Sequence, residues 1–157
     1  MPLSDETKLQ LAAHKILPAI YLIWAGLILG VSFIATPVKF EAPHLTMPVA
    51  LEVGIATFHL FNLIEWCVII TAIILTAISS KTSQNWSMAI ILLSIIMLQT
   101  FWLLPVLDVR ADEVIAGGTP DPGHYHWFYI IAEIFKLVLT IMAAWFCSRK
   151  DKPCLVM

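Results

Sequence analysis

The stretch ATFHLFNLIEWCVIITAIILTAIS, residues 56–79, carries His59, Asn62 and Glu65 inside a run otherwise suited to lipid. Farther along the chain, Gln99 stands in the apolar run IIMLQTFWLL, and Glu133 and Lys136 in IIAEIFKLVL. A charge near the bilayer midplane costs roughly 2.5–3.5 kcal/mol on insertion scales, so such groups face the interior of a bundle and find partners there. Glu65, Gln99, Glu133 and Lys136 fall at one depth, with Asn62 and His59 nearby on the first of these runs. Together they form a candidate polar core able to bind or relay protons or cations, as in a small transporter, a channel or an accessory subunit.

Two further chemistries are open to these residues. His59 and His126, from two different helices, would suit a b-type haem with Arg110 as a propionate partner, or a metal ion. His44, His124 and His126 lie in or beside outer loops that also carry Glu41, Asp108, Asp112, Glu113 and Asp121. That mixture of imidazole and carboxylate fits a divalent transition metal better than calcium. Its irregular spacing requires any such site to be assembled across two loops. A third reading makes Glu65 and Glu133 an acid and base beside a pocket for a lipophilic ligand.

Plain structural roles compete with each reading. Glu133 and Lys136, three residues apart, could form an intrahelical ion pair. His59 could be a core histidine donating to a carbonyl, and GHYHW an interfacial anchor. Trp24, Trp66 and Trp102 sit deeper than an interfacial belt and are expected to fill the core. No phosphate loop, HExxH, GxSxG or CxxC pattern occurs, which argues against nucleotide-driven transport and leans away from an enzyme. The few basic residues flank apolar runs rather than forming a patch, so nucleic acid is not an expected partner. Cys67, Cys147 and Cys154 are read as free thiols.

Positioning such a core requires membrane helices. Of 157 residues, 60% are hydrophobic and only 13% charged, with a mean hydropathy of +0.88. Spanning the ~30 Å hydrocarbon layer takes roughly 20 residues of helix. Four runs suffice, at about 16–36, 49–79, 86–107 and 125–147. Each is continuous rather than alternating, which indicates helices and not barrel strands. The expected fold is all-α: a polytopic four-transmembrane-helix bundle forming one integral membrane domain over residues 1–157. Pro18 is placed in the first turn of its helix, and Pro105 is expected to kink or end the third. The mixed-charge N-terminus MPLSDETKLQLAAHK does not resemble a cleavable signal.

On the fourth helix His126, Tyr129, Glu133, Lys136 and Thr140 fall within about a quarter of the circumference, a polar stripe through the membrane. On the second, His59, Asn62 and Glu65 spiral instead. Gly26 and Gly30 form a small-xxx-small pair suited to close helix packing. Lys8, Lys15, Lys81, Arg149, Lys150 and Lys152 lie at one end, against Lys39 and Arg110 at the other. This asymmetry puts both termini in the cytoplasm, in what is expected to be a bacterial inner membrane. The bilayer is the expected partner, with self-association or a larger membrane complex suggested by the short chain.

SFIATPV at 32–38 and TFWLLPV at 100–106 share a hydroxyl residue, Phe, Pro and Val at equal spacing, and the same shift carries Glu65 onto Glu133. A parallel repeat of two helices would produce this pattern, and so would coincidence between apolar helices. The runs GVSFIATPVKF and QTFWLLPVLDVR resemble small four-span membrane proteins of unknown function, the bacterial relatives of the transmembrane protein 205 type. The resemblance covers the helices and not the 108–124 loop. It implies the four-helix fold and passes on no site residue.

Overall fold

The computed structural model describes residues 4–79, 83–119 and 123–149. Lys81, Asp121, Lys150, Lys152 and Cys154, all used in the sequence reading, lie outside them. Four helices are long and apolar enough to cross a bilayer: Asp5–Lys39, Met47–Ser79, Ser83–Ile115 and Tyr125–Arg149. No strand occurs among the described residues. At 1.5 Å per residue the first three reach ~50 Å, well beyond the hydrocarbon layer. The first packs on the second and fourth, and the third completes the ring against the same two.

The first helix extends past its apolar run, and a polar residue caps its start. Ser4 caps the first, its Oγ accepting the Thr7 N–H at 3.3 Å, with Asp5 and Glu6 in the first turn, where acids complement the helix dipole. Pro18 therefore lies well inside a helix rather than in its first turn. Pro105 does not end the third helix either. Pro37 and Pro105 each follow a π-helical segment, Leu29–Ala35 and Gln99–Leu103. A proline removes an N–H and pushes against the carbonyl four residues back, here Phe33 and Phe101. The wider turn accommodates it: the Thr36 N–H reaches back to Val31 and the Leu104 N–H to Gln99, five residues each. Helix then resumes, and the third ends at Ile115, followed by Gly117, whose φ of +84° suits glycine and lets the Gly118 N–H close on the Glu113 carbonyl at 2.8 Å.

Leu17, Trp24, Ile28, Ile69, Leu92 and Ile96 form a core with no exposed surface. Outside, Leu22, Ile23, Leu63, Phe101 and Val138 present an apolar shell, as lipid contact demands. Two packing expectations are corrected. Nothing lies within 4 Å of where a Cβ would stand on Gly26 or Gly30, so among the described residues these glycines meet no neighbouring helix, although Ile28 between them is buried. Trp102 is 45% exposed and meets Tyr125 edge-on, while Trp24 and Trp66 turn inward.

Candidate functional site

Lys136 sits at the centre of the bundle with no exposed surface, and its ammonium meets two carboxylates. Nζ lies 2.5 Å from Glu65 Oε1 and 2.7 Å from Glu133 Oε1. Both acids are about 1% exposed. The intrahelical pair with Glu133 exists, but the second helix supplies an equal partner in Glu65, so Lys136 ties two helices together. Counting formal charges, the trio carries one more acid than base.

Neutral donors complete the shell. The Trp24 indole N–H donates to Glu65 Oε1 at 3.0 Å. Gln99 Nε2 donates to Glu133 Oε1, and the Ser32 hydroxyl to Glu133 Oε2, both at 2.8 Å. Ser32 and Gln99 ride on the two π-helical segments, a kind of local widening often found at functional positions. Gln99 Oε1 is buried with no hydrogen-bond partner, an unusual state for an acceptor in a low-dielectric interior. Asn62 stands slightly apart: its Oδ1 accepts from the Thr100 hydroxyl at 3.0 Å, and that hydroxyl in turn accepts the Trp66 N–H at 3.0 Å.

Sequence reasoning thus named Glu65, Gln99, Glu133, Lys136 and Asn62, and the fold gathers the first four into one hydrogen-bonded cluster. It missed Trp24 as a donor, having read it as filler, and Ser32 and Thr100, whose only signal was their matched place in SFIATPV and TFWLLPV. His59 departs from its expected role. It is exposed, and Nε2 lies 2.7 Å from Asp108 Oδ2 instead of reaching a backbone carbonyl.

Among the cavities at the end of the bundle away from the termini, two adjoin each other. One, of about 260 Å³, runs from His126 and Phe40 past Phe58 and Tyr129 to Ser32 and Glu133. The other, of about 110 Å³, shares Thr36, Phe40, Phe58 and His126 with it and adds Lys39 and Asp108. On the side toward the termini, the cluster rests on Ile69, Ala72, Leu92 and Ile96, all without exposed surface. The 260 Å³ cavity thus reaches Glu133 from the end away from the termini. Lys39 folds inward across this vestibule: its Nζ lies 5.0 Å and 5.7 Å from the Phe40 and Phe58 ring centres and over Gly54, where a side chain would collide with it.

His59 lines neither cavity, whereas His126 lines both, so the proposed histidine pair shares no slot there. His44, His124 and His126 are exposed and do not converge. Among the described residues, no group of three or more His, Cys, Asp or Glu side chains could hold a metal ion.

Four apolar helices around a buried charged cluster define a small integral membrane protein of the helical-bundle class. The chain matches the domain of unknown function DUF4149 over residues 19–113, and it belongs to that family. The match fits a family without a characterised activity and does not single out the transmembrane protein 205 type. It ends before the fourth helix, so Glu133 and Lys136 lie outside it. No curated protein and no solved structure matches the chain.

Proposed function

We propose that this protein binds or relays a proton or a cation at the Glu65–Lys136–Glu133 cluster, as a small transporter, channel or accessory subunit. One observation carries the reading: two buried carboxylates share a single buried ammonium, which leaves one negative charge at membrane depth unbalanced. An unpaired charge in that setting is costly, and taking up one positive charge removes the cost. The vestibule leading to Glu133 supports exchange from the end opposite the termini. The excess of lysine and arginine at the termini supports a cytoplasmic placement of both, in a bacterial inner membrane. On this reading residues 1–157 form one membrane domain, related to the transmembrane protein 205 type and working in a homo-oligomer or larger complex.

The test compares wild type, Glu133→Gln and the surface control Glu113→Gln in detergent. Proton uptake is followed by infrared absorption of protonated carboxyl groups, and alkali-cation binding by calorimetry. Wild type and Glu113→Gln should take up one positive charge that Glu133→Gln does not. Identical behaviour of all three would reduce the cluster to a packing device.

A further inference from the structure

The ligands already around the carboxylates discriminate between the two species that could neutralise them. An alkali or divalent cation needs several oxygen lone pairs converging on one point. Here three of the four carboxylate oxygens already accept hydrogens, which leaves no converging set of free lone pairs. Glu133 Oε1 receives Lys136 and Gln99, Glu133 Oε2 receives Ser32, and Glu65 Oε1 receives Lys136 and Trp24. A cation entering this shell would face N–H and O–H groups from three helices. A proton needs one lone pair only, and Glu133 Oε2 accepts from Ser32, with Tyr129 also beside the carboxylate.

The orphaned acceptor makes the complementary point. Gln99 already holds Glu133 through Nε2, yet its Oε1 is buried without a partner. Leaving such an acceptor unsatisfied is costly, whereas a carboxylic acid beside it provides the missing donor. The groups facing Glu133 are Lys136 and Tyr129 on its own helix, Glu65 on the second, Gln99 on the third and Ser32 on the first. Farther up the vestibule stand His126, Asp108 and the ammonium of Lys39. Lys39 forms no ion pair among the described residues, so its charge opposes cations on this route, metal ions and hydronium alike, and the discrimination rests on the ligand shell.

We propose that the species exchanged at this cluster is a proton, held on Glu133 as a carboxylic acid whose O–H is accepted by Gln99 Oε1, and that metal cations are rejected. The step is a simple uptake. One proton from the vestibule side forms an O–H bond on the Glu133 carboxylate, no bond to carbon changes, and the cluster passes from one net negative charge to neutral. Glu133 is the site rather than Glu65 because it alone of the two lines the vestibule. The proposal rests on the reading above that the cluster takes up one positive charge.

The deciding measurement uses the full-length protein in detergent, titrated with acid in sodium, potassium and choline chloride of equal ionic strength while the infrared band of protonated carboxyl groups is recorded. The same titration midpoint in all three salts is expected, as is a band that persists in Glu65→Gln and is lost in Glu133→Gln. In Gln99→Leu, which removes both the acceptor and the Nε2 donor to Glu133 Oε1, that band should move to higher frequency, since a carboxylic acid without these partners has the stiffer carbonyl. A midpoint displaced by sodium or potassium but not by choline overturns proton selectivity while leaving the broader reading intact. A band lost in Glu65→Gln but kept in Glu133→Gln places the proton on the wrong acid, and an unmoved band in Gln99→Leu removes the proposed acceptor. Absence of any titrating band in wild type, with sodium or potassium bound in its place, overturns the proposal alone. Absence of both overturns it together with the reading beneath it.

Discussion

Ser32 and Gln99 grip opposite oxygens of one carboxylate, each at 2.8 Å, and each is carried by a π-helical segment placed just ahead of a proline. The relation is close to symmetric. The two segments occupy matching positions in SFIATPV and TFWLLPV, and the residue equivalent to Ser32 is Thr100, which donates to Asn62, one turn from Glu65. Both halves of the chain thus use a proline-linked widening to aim a polar side chain at an acid-bearing helix.

Ser32→Ala removes the donor on Glu133 Oε2 without changing the helix. Interhelical hydrogen bonds in membrane proteins are worth about 0.6 kcal/mol on average and up to roughly 1.7 kcal/mol. A loss of about 1 kcal/mol in stability is expected, read as a lower midpoint in denaturant titration in detergent. An unchanged midpoint would mean that water replaces the hydroxyl at no cost.

The residue types of the site were legible in the sequence because an acid or amide in an apolar run is conspicuous. Its donors were not. An indole reads as hydrophobic filler, so Trp24 gave no hint of its N–H contact with Glu65. A serine in a helix can satisfy itself on its own backbone, as Thr140 and Thr76 do, so Ser32 carried no obligation to reach another helix. The spiral on the second helix did hold information about His59. Six residues at ~100° each place it about 120° from Glu65 the short way round, off the buried seam. The fold class followed directly from continuous hydropathy. Helix ends did not, since Ser4 and Gly117 set them well outside the apolar runs, and Pro105, expected to kink or end its helix, follows a π-helical segment after which the helix resumes.

Trp24→Phe keeps a large ring in the core and deletes the N–H that meets Glu65. The Glu65 carboxylate then relies on Lys136 for its recorded contact at Oε1. A destabilisation of about 1–3 kcal/mol is expected, since a charged acceptor loses a donor. Glu65→Gln should soften the effect of Trp24→Phe in a double-mutant cycle. Additivity of the two substitutions would show that the indole contributes only its volume.

Orientation has a direct readout. Cysteines introduced singly at Ser83 and Thr119, in a background with the native cysteines replaced, should react with a membrane-impermeant maleimide from opposite faces of intact cells. Thr119 is expected to label from outside, because the lysine-rich end stays in the cytoplasm. Labelling of both from one face would refute the topology.

Lys39 is held where it is by the absence of a side chain at Gly54. A Cβ there would stand 2.5 Å from the ammonium, which is the free end of a flexible chain and can move aside. Gly54→Ala should therefore expel Lys39 from the vestibule while leaving the second helix intact, since alanine is the better helix former. Acylation by an amine-reactive ester, followed by mass spectrometry, measures this. Lys39 should react more slowly than the exposed Lys8 in wild type, and faster in Gly54→Ala than in wild type. Equal rates for Lys39 in the two proteins would place its ammonium outside the cavity.

Lys136 is the residue on which the cluster depends most. Removing one member of a buried ion pair leaves an uncompensated charge and typically costs ~3–5 kcal/mol. Lys136→Met strands two carboxylates, both about 1% exposed, in the middle of the bundle. The variant is expected to lose most of its folded yield at neutral pH and to recover part of it in acid, where protons replace the ammonium. Adding Glu65→Gln to Lys136→Met removes one of the stranded charges and should restore folding more than Glu41→Gln, an exposed control, does. The comparison is made by size-exclusion yield and thermal midpoint across pH. If the double variant with Glu65→Gln behaves no better than the one with Glu41→Gln, the attraction between Lys136 and Glu65 does not govern assembly, and the ammonium serves chiefly to hold Glu133 on its own helix.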